Sequence, residues 1–268
     1  MAAARFVDRT TGFAVEHWRW IGLALALALS VLLPWGVSDY RVFQFTQAMI
    51  YAIALLGLNL LTGYNGQISL GHGAFFAIGG YTAAILMHRL GLPYYLTILP
   101  AGAAAFVVGV LFGLPALRLG GLYLALVTLS MAVATPQFLK YFDGWTGGSQ
   151  GIILRKPSAP VWLPIGTDRW LYYVVLVTLW LVFWAGRNLL DGRTGRALVA
   201  IRDHPIAATA MGVNLSLYKT CAFGASALMT GIAGAIAAIV TGFVAPEIGR
   251  ATRLNSSHIQ KSRMPSSA

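Results

Sequence analysis

The 268-residue sequence predicts an all-α polytopic membrane protein of about seven spans with a cytoplasmic N-terminus, and three observations carry that prediction. Of its residues 57% are hydrophobic and only 10% charged, at a mean hydropathy of +0.70, whereas a soluble domain is about 25% charged. No globular core hides that much apolar surface, so lipid is the solvent. The apolar residues gather into runs near the roughly 20 residues that cross a bilayer. Basic residues, finally, are shared unequally between the connecting loops. Basic loops on one membrane face account for the net charge of +11 and require no nucleic acid.

The first run, 18–35, centres on Ile21-Gly22-Leu23-Ala24-Leu25-Ala26-Leu27. Gly36-Val37-Ser38 is a passable cleavage site for a signal peptide. Asp8 and Glu16 make a poor n-region, however, and further spans come after it, so an uncleaved anchor is expected. The next runs are 42–61, 69–88, 94–114 and 121–140. The sixth, 169–186, opens on Trp170, Tyr172 and Tyr173, as an interfacial belt does. The seventh is 217–243. Orientation is read from the loop 187–219, which holds Arg187, Arg193, Arg196, Arg202 and Lys219. With that loop inside, Arg5, Arg9, Arg19 and Arg118 also fall inside, against Arg41, Arg89, Lys140, Arg155, Lys156 and Arg169 outside.

From about Ile248 the text changes to IGRATRLNSSHIQKSRMPSSA. Back-translated, TRLNSSH and SRMPSSA look like the constant parts of a sequencing-library adapter. The transmembrane domain is therefore expected over 1–247, with 248–268 a non-native tail and further native helices missing after it. Without the tail's four basic residues the net charge is +7. The one cysteine, Cys221, excludes an internal disulfide and a cysteine metal cluster, and within its apolar run it is expected to act as a small hydrophobe.

Glycine supplies 30 residues, and their spacing matters more than their number. Gly73, Ala77, Gly80 and Ala84 share one helix face in the third run. Ala227, Gly231, Gly234 or Ala235, and Ala238 repeat the device in the seventh. Lipid offers no hydrophobic drive between helices, so close approach over small side chains supplies the packing. Packing is favoured over pore lining for both stripes. The opposite face of the third run carries Phe75, Ile78 and Ile85, suited to lipid or a neighbouring helix.

Before the third helix, Gly63-Tyr64-Asn65-Gly66-Gln67 reads as a tight turn, with Ser69 placed to cap that helix. Broken backbone at membrane depth is tolerated only inside protein or along a wet cavity. Asn59, Asn65, Gln67, Ser69 and His72 are thus candidates to line a solute path. The other reading stays open: 62–68 as a short cytoplasmic connection, with His72 a hydrogen bond between helices.

The loop 187–219 contains helical text of its own, GRTGRALVAIRDHPIAATAMGV. Thr194 is placed to cap a first short helix carrying Leu198 and Ile201. Pro205 suits the first position of a second, which Gly212 would end. Two short helices joined by an elbow, apolar on one side through Leu198, Ile201, Ile206 and Met211, form a knob for a soluble partner.

The chain carries no chemistry. No Gly-x-x-x-x-Gly-Lys-Ser/Thr occurs, since the stretch Gly212 to Thr220 has Leu217 where the second glycine is required. Gly147-Gly148-Ser149-Gln150-Gly151 lacks a lysine and reads as a periplasmic turn. Gly71-His72-Gly73 lacks the third glycine of a dinucleotide fingerprint. No His-Glu-x-x-His exists, and the eight acidic residues form no pair. A membrane enzyme is therefore excluded. An ion-coupled secondary transporter, the runner-up, would bury an acid in a span, and none lies in any run.

IAATAMG at 206–212 resembles the EAA loop of ABC-importer permeases, Glu-Ala-Ala, three residues, Gly. Ala207, Ala208 and Gly212 match, and Ile206 stands in place of the Glu. TGYNGQISLGHGAFFAIGGYTAAIL, TGGSQGI at 146–152 and GRALVAIRDHPIAATAMGV together resemble the LivM branch of the branched-chain amino-acid permease family, over about 40–245. The resemblance implies an ABC importer transmembrane domain that pairs with a second, LivH-like permease. It also implies two cytoplasmic ATPase subunits that hold the ATP and Mg, and a periplasmic binding protein that delivers a branched-chain or related amino acid. Residues 195–212 would be the coupling helices, with Arg196, Ile201, Arg202, Ile206, Ala207, Ala208 and Gly212 as contact and shape residues. A urea or short-amide permease shares the Gly-rich block and is the alternative within the class.

Overall fold

The computed structural model describes residues 28–116, 121–160 and 165–248. The expected tail lies outside them apart from Ile248, as do Arg5, Arg9, Arg19, Arg118 and most of the 18–35 run.

Helix α1 (Asp39–Asn59) continues through one π-helical turn, Leu60–Tyr64. A stretch outside any helix or strand, 65–71, leads into α2 (His72–Leu90). Next come α3 (Tyr94–Ala116), α4 (Leu122–Tyr141) and the short α5 (Asp143–Thr146). After β1 (Ile152–Ile153) come α6 (Thr167–Asp191), α7 (Arg193–Asp203), α8 (Pro205–Ala210), α9 (Leu215–Thr241) and β2 (Phe243–Val244). Among the described residues five helices are long and apolar enough to cross a membrane: α1 with its π turn, α3, α4, α6 and α9. The third expected span, 69–88, is the helix α2, which falls short of that set because glycine and polar residues dilute it. Residues 28–36 are helical and pack on α6, where the Tyr172 hydroxyl donates to Ser30 O at 2.7 Å.

Helix α9 is the axis of the bundle. Its most apolar window is 89% buried, against 17–33% for the other spans, as expected of a helix apolar on every face. It presents small residues to each of its neighbours, with Gly231 shared between two of them. Gly231 faces Ala105 and Ala101 of α3, and Gly109 of α3 faces Ala227 in return. Gly234 meets Phe76 O of α2, and Gly79 of α2 meets Gly231 so closely that a Cβ would overlap its backbone. Gly57 of α1 sits against Ser226 O and Thr230 Oγ1.

The expected stripe on α2 is only part of this contact. Ala77, Gly80 and Ala84 are buried and Gly73 is half-buried, but among the glycines of α2 the tighter approach to α9 is made by Gly79, one position off the stripe. Phe75, expected toward lipid or a neighbour, is fully buried and meets the Phe223 ring edge to face at 5.8 Å. Six threonines of the helices are satisfied on their own helix: Thr46, Thr62, Thr82, Thr135, Thr178 and Thr230 each donate to the carbonyl four residues back. In hydrocarbon no water would do this for them. The buried Thr220 Oγ1 and Tyr81 hydroxyl, by contrast, find no partner among the described residues. Cys221, expected to pack as a small hydrophobe, is exposed.

The helices sort the charges to two ends. At one end Arg169 pairs with Asp39, Lys156 with Asp168 and Lys140 with Glu247, each at 3.4 Å. Arg89 donates to Gly144 O and lies 5.1 Å from the Trp145 ring centre. The aromatic start of α6 is there too, with Trp170 Nε1 donating to the Tyr94 hydroxyl at 3.0 Å. At the other end lie Arg187, paired with Asp191, and the whole of α7 and α8.

The Gly-rich 147–151 turn is fastened at the first end. β1 pairs antiparallel with β2, Ile152 opposite Val244 and Ile153 opposite Phe243, and Leu154 N donates to Gly242 O at 2.9 Å. The TGGSQGI block is thus a structural clamp on the end of α9.

Candidate functional site

Two features at the Arg187 end stand out: the break between α1 and α2, and the α7–α8 elbow beneath it. In the break the side chains alternate with the period of an extended chain, but inverted relative to a soluble strand. Asn65, Gln67 and Ser69 are buried at 3%, 7% and 5% exposure, while Ile68 and Leu70 are 53% and 56% exposed. Polar groups turned into protein and apolar ones turned out is the arrangement lipid or a membrane partner requires.

The inward groups bond to one another. Asn65 Nδ2 donates to Gln67 Oε1 at 2.7 Å, Gln67 N to Leu61 O at 3.1 Å, and Leu70 N to Thr128 Oγ1 at 3.0 Å. Ser69 does not cap α2. Its Oγ accepts from Gly71 N at 3.3 Å, and Gly71 is the N-cap residue.

His72 bridges this segment to α9. Its Nδ1 is 3.1 Å from Ser69 Oγ and its Nε2 2.7 Å from Ser226 Oγ. Ser226 Oγ also lies 2.6 Å from Gly57 O, which can only accept, so Ser226 donates there. His72 Nε2 must then carry the hydrogen toward Ser226, leaving Nδ1 to accept from Ser69. One neutral tautomer satisfies every member of the chain. Ser226 stands eleven residues into α9, about 17 Å from its start at 1.5 Å per residue. The His72–Ser226 bond is therefore well inside the bundle, a hydrogen bond between helices such as the second reading expected of His72.

Asn59 stands apart from this cluster. It is exposed, in a groove between α1 and α6 lined by Leu55, Leu56, Leu179, Trp180 and Phe183, a cavity of about 550 Å³. The structure thus brings Asn65, Gln67, Ser69 and His72 together and leaves Asn59 outside. Sequence reading missed Ser226 and Thr128, the partners of this cluster. A lone hydroxyl in an apolar run carries no signal until the facing helix is known.

The elbow divides its apolar residues between two jobs. In α7, Gly195, Leu198 and Ile201 recur on one face and are buried. Leu198 joins Leu60, Leu189 and Leu190 in the bundle core. Ile201 therefore lies inside the protein, while Ile206 and Met211 project, 87% and 85% exposed. Ala208 is buried, Ala207 and Arg196 are exposed, and Arg202 turns back toward the break.

Thr194 does not cap α7. The N-cap is Gly192, and no side chain bonds there. Pro205 does open α8, and Gly212, at φ +83, closes the turn after it, a conformation that favours glycine. The next helix has a cap the sequence reading passed over, Asn214 Oδ1 accepting from Leu217 N at 3.1 Å. No group of three metal-ligating residues occurs among the described residues.

Comparison with known proteins gives a consistent answer. Residues 40–256 match the family described as branched-chain amino acid transport system, permease component. The match reaches into the 248–268 segment. The chain is 36% identical over 248 residues to the high-affinity branched-chain amino acid transport system permease protein LivM of Escherichia coli K12, covering 84% of this chain and 58% of that protein. It is 27% identical over 251 residues to the autoinducer 2 import system permease protein LsrC of E. coli K12, covering 88% and 68%. A probable branched-chain amino acid transport permease protein LivM of Methanocaldococcus jannaschii is 26% identical over 230 residues, covering 83% and 66%. The chain thus spans 58% of the length of the E. coli LivM relative. No solved structure matches it.

Proposed function

Because the chain belongs to the family of branched-chain amino acid transport permease components, we propose that it is a permease subunit of an ATP-driven importer of branched-chain or related amino acids in a bacterial inner membrane. On this reading it pairs with a second permease, two cytoplasmic ATPase subunits bind below, and a periplasmic protein delivers the substrate. ATP and Mg belong to the ATPase subunits, so this chain is a conduit and not a catalyst. Residues 1–247 form the transmembrane part, with about seven spans and the N-terminus inside, and 248–268 stand outside it.

The observation that carries the reading is the elbow. A buried face on α7 anchors it to the bundle, while Ile206 and Met211 project from the short α8 and its end, uncovered by any of the described residues. Large apolar side chains so exposed at a charged membrane face mark a protein contact. The contact residues toward the ATPase are then Ile206, Ala207 and Met211, with Arg196 at the rim and Gly212 fixing the shape. Of the five candidates for a solute path, Asn59 is the one that presents its side chain to open space, and the path is proposed to pass it.

The test is uptake into proteoliposomes holding the permease pair and ATPases, with binding protein added outside. ATP-dependent accumulation of leucine, isoleucine or valine is expected. Accumulation of urea or a short amide instead would move the substrate class, and uptake driven by an ion gradient without ATP would refute the importer reading.

A further inference from the structure

We propose that Arg202 ties the α7–α8 elbow to the break in the bundle, so that movement of the elbow is delivered to the segment 60–71. The proposal rests on the permease reading and assigns one of its residues an internal role. Arg202 occupies the last turn of a helix expected to face a partner, yet its guanidinium points the other way. Its Nη1 donates to Gly63 O at 2.7 Å, while Nε donates to Asp203 Oδ1 at 3.0 Å. A planar fork held at two points has a fixed direction, which a lysine ammonium cannot reproduce.

The acceptor is placed where a pull would matter. Gly63 lies inside the π turn Leu60–Tyr64, at which α1 loses its α-helical register. Such turns mark places where a helix is locally reshaped for function. Just beyond it, Gly66 has φ +69, and a Cβ there would lie 2.7 Å from Arg202 Cγ. The arginine stem is therefore seated against the break as well as bonded to it.

Below the tie, the elbow cannot shift without it. Leu198 packs against Leu60 in the core, and Gly195 rests against Leu190 O with no room for a Cβ. The root of the elbow and the π turn are one packed body. Above the tie the chain runs outside any helix or strand, and side chains hold it, through Asn65 to Gln67, Leu70 to Thr128 and His72 to Ser226. A stretch without a helical ladder is the part of a bundle that yields at least cost. Displacement of the elbow thus moves Gly63, and the non-helical stretch takes up the change against α9.

The experiment uses the complete reconstituted importer and reads substrate uptake and ATP hydrolysis on the same vesicles. Arg202→Ala is expected to lower uptake per ATP hydrolysed by about tenfold, the scale set by one charge-assisted hydrogen bond. The ATPase subunits should stay in the purified complex, and Arg202→Lys should recover part of the ratio. Gly66→Ala, which displaces the arginine stem while keeping its charge, should lower the ratio in the same direction and serves if Arg202→Ala does not accumulate. An unchanged ratio, whether both rates hold or both fall together, overturns the tie. So does loss of ATPase subunits from the Arg202→Ala complex, which would make Arg202 a partner contact. A wild-type complex with no ATP-dependent uptake refutes the permease reading itself, before any variant is compared.

Discussion

The imidazole of His72 joins Ser226, 154 positions away in the chain, at 2.7 Å, and through Ser226 it reaches Gly57 O. Three segments, α1, α9 and the start of α2, meet at this one hydroxyl. In water such a bond competes with solvent, but at this depth the alternative is an unpaired polar group in an apolar surround. Removing His72 should therefore be felt by the fold. His72→Ala is expected to destabilise the solubilised subunit by about 1–2 kcal/mol, seen as a lower midpoint of thermal aggregation. Ser226→Ala should cost a similar amount. If His72→Ala and the double variant differ as much as two independent losses would, the two side chains are not coupled and the network is wrongly drawn.

The crossing of α2 and α9 has no slack at Gly79. Its would-be Cβ overlaps Gly231 backbone, whereas Gly91 has open space around it. Gly79→Ala should cost about 1–3 kcal/mol as overpacking forces the helices apart. The measurement is the yield and thermal midpoint of the purified subunit. Gly79→Ala matching wild type would show that the crossing tolerates a wider spacing.

The alternation along 65–71 gives a pattern that chemistry can read. Single cysteines at Ile68 and Leu70 should react with a small maleimide in the isolated subunit, and cysteines at Gln67 and Ser69 should be protected. Their rates should differ by about tenfold or more, as expected between open and closed backbone. Uniform reactivity along the run would instead describe a loose loop.

The elbow separates anchoring from contact. Ile206→Asp touches an exposed side chain, so its effect on stability should stay within about 0.5 kcal/mol, while retention of ATPase subunits on the purified permease is lost. Leu198→Asp places a charge in the core and should abolish accumulation of the folded protein. Full ATPase retention by Ile206→Asp would argue against a contact face built on Ile206, Ala207 and Met211.

Determined by the sequence alone were the solvent, the helical class, the runs that became α1, α3, α4, α6 and α9, and the elbow with Pro205 and Gly212 at its limits. Those features depend on composition and on backbone constraints that act within a few residues, and such constraints are written locally. Family membership was legible for the same reason, in three blocks of contiguous text.

The tertiary structure alone decided which polar groups meet. Whether Ser69 capped α2 or served His72, whether Ile201 faced a partner or the core, and which glycine of α2 met α9 each depended on a surface contributed by a distant segment. The cluster of polar residues in an apolar chain has the same explanation. Asn65, Gln67 and Ser69 are tolerated because their side chains alternate inward, where Asn65 bonds Gln67 and Ser69 bonds His72, while α4 and α9 offer Thr128 to Leu70 N and Ser226 to His72. Hydrogen bonds have short range and fixed direction, so a sequence lists the donors and acceptors while only the packed bundle pairs them.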